Sequence, residues 1–196
     1  MRVVPGEIVG ILLAAGRGHR FGGDKLEHLL PDGRPLAVAA ADHLLPACDR
    51  LIAVVRPGAQ RLAELLGAAG CETIVCDQAD AGMGHSLAAA IRAMPGAAGW
   101  VVALADMPFI ATGSHRSVVA ALRHGASLAA TEFQGQRGHP VGFAGHWFAQ
   151  LSQLTGDQGA KALLQAHGAA ITLCPVDDCG VLKDIDRRGD LVAADD

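Results

Sequence analysis

Short apolar runs that alternate with helix-period segments constrain this chain more than any other feature. "EIVGILLA" (7–14), "RLIAVV" (50–55), "ETIVC" (72–76) and "WVVALA" (100–105) have strand length and are rich in β-branched residues. Between them lie "PLAVAAADHLLPAC" (35–48), "AQRLAELLGAAG" (59–70) and "MGHSLAAAIRAM" (83–94), which read as helices. A strand apolar on both faces must be covered on both faces, so the alternation predicts βα units on a largely parallel sheet. Further along, a helix is expected near 114–124, with strands near 127–131, at "HPVGF" (139–143) and at 171–174. "HWFAQLSQL" and "DQGAKALLQAH" read as helical. In the helix over 83–94, Met83, Leu87, Ala90, Ile91 and Met94 share one face, the expected core face. The fold class expected is α/β, a three-layer α/β/α Rossmann-like architecture with a mostly parallel sheet. No repeat or linker divides residues 1–196, which are expected to form one domain with a sizeable core.

Sheets of this kind bind ligands beyond the carboxyl ends of their strands. That gathers the loop at 14–25, the "DMP" turn at 106–108 and the loop at 77–86 around one crevice. The first of these, within "LLAAGRGHRFGGDKL" (12–26), combines four glycines with Arg17, Arg20 and Lys25. Glycines let successive N–H groups turn toward an anion, and arginine can fork across two oxygens. The stretch departs from both common phosphate loops. Phe21 stands where a dinucleotide fingerprint needs its third glycine, and Lys25 arrives one place late for a Walker loop, with Leu26 after it. It reads either as an anion grip or as an unligated surface loop.

Composition narrows the partners. Aromatics make up 4 % with no Tyr, and the formal net charge is −4, so neither stacking platforms nor a basic face for nucleic acid is expected. No apolar run reaches the ~18 residues of a membrane span. Pro5, Gly6 and Glu7 interrupt the apolar start, which argues against a signal peptide and for a cytoplasmic protein. The five cysteines include no C-x-x-C pair and are expected to be buried, reduced thiols.

Asp106 closes the strand "WVVALA". It suits a turn or helix cap as well as a ligand to a hard divalent cation. "DCGVLKDIDRRGDL" (178–191) holds Asp178, Asp184, Asp186 and Asp190, which read as a solvated face or as a source of further carboxylate ligands. Ser86, in the first turn of its helix, can cap that helix or bond a ligand. His139 suits a packed, hydrogen-bonded histidine or a ligand contact.

"LAAGRGHRFGGDKL" resembles the signature loop of the MocA/MobA-like nucleotidyltransferases, which attach a nucleoside monophosphate to molybdopterin. Leu13, Ala14, Ala15, Gly16, Arg20, Phe21, Gly22 and Lys25 match its pattern. "DMP" resembles the family's metal-bearing DxP, and "GMGHSL" (82–87), "RGHPVGF" (137–143), "GDQGAK" (156–161) and the terminal "DIDRRGDL" resemble four further motifs in the family's order. The resemblance spans about residues 8 to 191 and implies the family's nucleotidyltransferase fold, which is glycosyltransferase-A-like. It implies Mg²⁺ on Asp106 and Asp186, with Asp184 as the alternative to Asp186. Arg17, Arg20 and Lys25 would act on the phosphates, and Leu13, Ala14, Ala15, Gly16, Gly82 and Ser86 would hold the nucleotide. His139, Asp157 and Lys161 would face the molybdopterin-type acceptor. Lys161 stands where the family has Arg, and Arg187-Arg188-Gly189 replaces Thr-Pro-Glu.

Ala15, where guanylyltransferases carry Gly, implies CTP rather than GTP. The implied reaction joins CMP to the acceptor's terminal phosphate and releases pyrophosphate, and a molybdoenzyme would receive the product. Two other readings stay open: the same fold using GTP, and a non-catalytic cofactor carrier or chaperone for a molybdoenzyme.

Overall fold

A computed structural model describes residues 6–18, 21–157 and 159–191. Arg20, one of the expected phosphate contacts, lies outside them. Seven strands form one sheet: β1 (Ile8–Ala14), β2 (Arg50–Val55), β3 (Glu72–Val75), β4 (Gly99–Leu104), β5 (Leu128–Phe133), β6 (Gln136–Ala144) and β7 (Ile171–Pro175). Their order is β3-β2-β1-β4-β6-β5-β7. β3, β2, β1 and β4 are mutually parallel, β6 runs against both β4 and β5, and β7 is parallel to β5. The mostly parallel α/β expectation is met.

Alternate residues of β1 feed opposite layers. Ile8, Leu12 and Ala14 join the apolar cluster formed with α1 (Leu36–Leu44), α2 (Gln60–Ala68) and α4 (Thr112–Arg123). Val9 and Ile11 join the one formed with α3 (Met83–Ala93), α5 (Phe148–Leu151) and α6 (Lys161–Ala166). The period of two along a strand thus builds two cores from one sheet, giving three layers.

Three details differ from the sequence-based expectation. Strand β6 starts at Gln136, before the expected "HPVGF", because Gln134 and Gly135 both take positive φ (49° and 79°) and form a tight hairpin with β5. The helical stretches after it are short, since Gly156 and Gly159 turn the chain with positive φ and α6 cannot begin before Lys161. On α3, Leu87, Ala90, Ile91 and Met94 are buried as expected, whereas Met83 in the first turn is 45 % exposed.

Cys71, Cys76 and Cys174 are buried, Cys48 is partly so, and Cys179 is exposed, the exception to the expected pattern. Burial pushes the Cys48 thiol up to about 12 and Cys71 to about 11, which keeps both unreactive. Among the described residues no helix is long and apolar enough to cross a membrane.

Candidate active site

A cleft of about 690 Å³ opens at the carboxyl ends of β1 and β4. Leu13, Ala15, Gly16, Arg17, Gly18, Lys25 and Leu26 form one wall, and Ala79, Asp80, Gly82, Met83 and Ser86 another. Leu104, Asp106, Asp157 and Asp186 complete the lining. The volume suits a nucleotide-sized ligand. Ala14 is buried in the core beside the loop.

The deepest charge is Lys25. It sits in a 3₁₀ turn (Lys25–Glu27) after the glycine-rich loop and is only 8 % exposed. Its Nζ donates to Asp106 Oδ2 at 2.8 Å and lies 3.7 Å from Asp186 Oδ1. A buried lysine is tolerated only with such partners. Asp106 reaches this point because β4 ends at Leu104 and the chain turns at once. Asp186 reaches it from a segment far along the chain. One ligand oxygen each from Asp106, Asp184 and Asp186 lies within 4.8 Å of the others. Three carboxylates so placed are a hard-oxygen set that fits a divalent cation, and two of them, Asp106 and Asp186, face the Lys25 ammonium.

Arg17 stands at the cleft mouth. Its Nε donates to Asp80 Oδ1 at 2.7 Å and its Nη2 to Asp80 Oδ2, a forked pair joining the two walls. Both side chains are more than half exposed, so phosphate oxygens can compete with Asp80 for the guanidinium.

Gly82 and Gly84 have a role other than admitting a ligand. Gly82 (φ 125°) precedes α3, and a Cβ there would collide with the carbonyl of Gly156; one at Gly84 would meet Thr155 and Gly156. The Gly84 N–H donates to Gly156 O at 2.8 Å. These glycines dock the 155–157 turn onto the start of α3, which brings Asp157 to the cleft. Ser86 is buried and lines the cleft.

The rest of the expected acceptor side is less gathered. Lys161 is exposed at the start of α6 and, like His139, is not part of the cleft lining. The His139 ring lies close to the backbone of Val102, and its buried Nδ1 has no partner among the described residues. Burial pushes this imidazole below its usual range, against the opposing pull of the Val102 backbone and of the Asp106 charge.

The terminal acidic residues separate by task. Asp178 accepts from Ala111 N, Ser114 Oγ and Gly180 N, fastening its turn to the start of α4. Asp190 accepts from the backbone N–H groups of Asp186 and Arg187, and the Arg187 bond first, then that of Asp186, hold its carboxyl below the usual range. Sequence reasoning missed Asp80 and Met83 as cleft residues. Their position beside the glycines of "ADAGMG" was the available signal.

A mostly parallel sheet with a glycine-rich loop after its first strand, and with a buried lysine against carboxylates from two distant segments, fits a nucleotidyltransferase. The profile of the MobA-like NTP transferase domain matches residues 10–171, and the chain belongs to that family. It is 31 % identical over 191 residues to the purine catabolism protein PucB of Bacillus subtilis, covering 91 % of each chain. It is 28 % identical over 187 residues to the nicotine blue oxidoreductase of Paenarthrobacter nicotinovorans, covering 91 % of this chain and 92 % of that one. Among solved structures, Rv0371c of Mycobacterium tuberculosis superposes with TM-score 0.81 at 25 % identity, covering 97 % and 98 % of the two chains. A second structure of Rv0371c, complexed with manganese, gives 0.75 at 25 % identity over 90 % and 91 %.

Proposed function

We propose that this chain transfers CMP from CTP to the terminal phosphate of a molybdopterin-type cofactor, with Mg²⁺, and releases pyrophosphate. The observation that carries the proposal is the buried Lys25 ammonium against Asp106 and Asp186, on the wall formed by the signature loop. In this reading an acceptor phosphate oxygen attacks the α-phosphorus of CTP, and the bond to the bridging oxygen of pyrophosphate breaks. A phosphomonoester, with its second pKa near ~6, is largely a dianion at neutral pH and needs no general base. Catalysis is then positioning and charge stabilisation.

Lys25 faces the phosphates and stabilises the departing pyrophosphate, together with the loop amides. Arg17 exchanges Asp80 for a phosphate oxygen. Arg20 is assigned the same task from the resemblance alone. Leu13, Ala14, Ala15, Gly16, Gly82 and Ser86 are assigned to the nucleotide. His139, Asp157 and Lys161 are assigned to the acceptor, for which Asp157 has support from its place in the cleft. Mg²⁺ held by Asp106 and Asp186, with Asp184 within reach, would supply neutralisation of the phosphate charge. Rv0371c, a structure similar to this one, was solved in complex with manganese, which supports a divalent ion as the metal.

The GTP reading differs at one residue. Ala15 lines the cleft, and its methyl group takes volume that glycine would leave for a larger base. The test is pyrophosphate release by purified protein with Mg²⁺, molybdopterin and each of CTP, GTP, ATP and UTP in turn. Turnover with CTP above the others is expected. GTP preference would replace the cytidylyl assignment. Tight pterin binding without turnover on any nucleotide would overturn the transferase reading in favour of a carrier that delivers cofactor to a molybdoenzyme.

A further inference from the structure

Asp186 lies on irregular backbone between the 3₁₀ turns Cys179–Leu182 and Arg188–Leu191, so no strand ladder or helix fixes its direction. Other contacts do so. On one side, Ile185 N donates to Asp106 O at 2.9 Å, and the Ile185 side chain is 1 % exposed in the core. That bond ties the two carboxylate-bearing segments together through their backbones. On the other side, a single oxygen, Asp190 Oδ2, accepts from Asp186 N at 2.9 Å and from Arg187 N at 2.7 Å. The Arg188 guanidinium carbon then lies 5.6 Å from the centre of the Phe21 ring, joining the turn to the signature loop.

Without Asp190, the Asp186 and Arg187 amides lose their shared acceptor, while the Ile185 bond holds only the start of the turn. The backbone bonds after Ile185 are then free to rotate, since water can replace the two lost acceptor contacts, and the direction of the carboxylate is less restrained. Arg187-Arg188-Gly189 offers no proline to restrict this turn, which leaves the restraint to hydrogen bonding. We propose that Asp190 is a positioning residue, which clamps the backbone at Asp186 and so holds that carboxylate toward Lys25 and Asp106. The proposal rests on the reading that Asp186 serves the reacting site. It gives a task to a carboxylate whose bland interpretation is a solvated charge.

Asp190→Ala removes the acceptor, while Asp190→Asn keeps an oxygen able to take both N–H groups. Three quantities are measured on the full chain: amide hydrogen exchange at Asp186 and Arg187, Mn²⁺ affinity by electron paramagnetic resonance titration, and pyrophosphate-release kinetics. In Asp190→Ala the two amides are expected to exchange at least about tenfold faster, with Mn²⁺ affinity lowered about tenfold. The expected kinetic change is a lower kcat with little change in the nucleotide KM. Asp190→Asn is expected to stay within about threefold of wild type in all three, because the clamp survives loss of the charge. In an Asp186→Ala background, Asp190→Ala should lower Mn²⁺ affinity no further.

Unchanged amide exchange in Asp190→Ala would overturn the proposal, as would Asp190→Asn matching Asp190→Ala or an additive loss in the double variant. If the wild-type chain binds no Mn²⁺, the metal assignment falls, and the exchange of the two amides decides the clamp alone.

Discussion

The two sides of the cleft are assembled by different means. On the side proposed for the nucleotide, β1 and β4 run parallel and adjacent, so the loop after one and the turn after the other must emerge at the same edge. Lys25, Asp106 and Arg17 meet there with Ser86 from α3. On the side proposed for the acceptor, β6 runs antiparallel and Gly156 and Gly159 turn the chain with positive φ. Of the three residues expected there, only Asp157 reaches the cleft, and it does so by docking on Gly82 and Gly84. Parallel strand ends gather residues by topology. Turns gather them only through particular contacts, so small sequence changes alter what they present.

If that contrast is right, the largest kinetic loss comes from the strand-end side. Lys25→Ala is expected to cut the rate about 10²–10³-fold, by analogy with removal of one preorganised donor. Pyrophosphate-release kinetics measure it, and a loss below about threefold would break the contrast. Where the two sides meet, Gly82→Ala should destabilise the chain by about 3 kcal/mol, because φ is unsuited to a side chain and the methyl group strikes Gly156. A denaturant titration checks this, and an unchanged midpoint would show that the turn is not docked there.

His115 supplies a third measure, away from the cleft. Burial, with the neighbouring His43 charge adding to it and Asp178 opposing, lowers its pKa from 6.5 to about 4. The unfolded chain therefore takes up a proton first as the pH falls. Stability is undiminished above about pH 6.5 and declines between there and pH 4, by about 3 kcal/mol in all. Stability curves at several pH values should show this decline, and His115→Gln should flatten it. The smallest effect is expected from Lys161→Ala, because this exposed side chain lies outside the cleft lining. A change in kcat/KM for the acceptor below about threefold fits that position. A larger one would show that the acceptor reaches α6.

Much of the fold and part of the cleft are legible in the chain's residue pattern. The hydrophobic period locates the strands and the principal helices, since a strand covered on both faces has few polar positions to disguise it. The glycine-rich loop and Asp106 are legible because each directly follows a buried strand. The tight β5–β6 turn at Gln134–Gly135 is not, as glutamine is an unusual residue at positive φ. Gly82 and Gly84 are legible as glycines, but a ligand and a packed backbone both require the missing side chain. Only the position of Gly156 distinguishes these two reasons. Asp80 escapes notice because an exposed aspartate carries no sign of the arginine it will face.

The amino-acid sequence alone determined the α/β class, the edge of the sheet where the cleft opens, and the lysine and aspartate at its centre. These depend on period, on strand ends and on residue chemistry, all of which are local. The tertiary structure brings Asp186 to Asp106 against Lys25, a pairing implied beforehand only by resemblance, and it alone decided that Asp178 and Asp190 serve as backbone acceptors. The four carboxylates at 178, 184, 186 and 190 have the same chemistry in one short segment. What separates them is which distant backbone or ammonium each meets once the chain has folded, and a sequence does not record that distance.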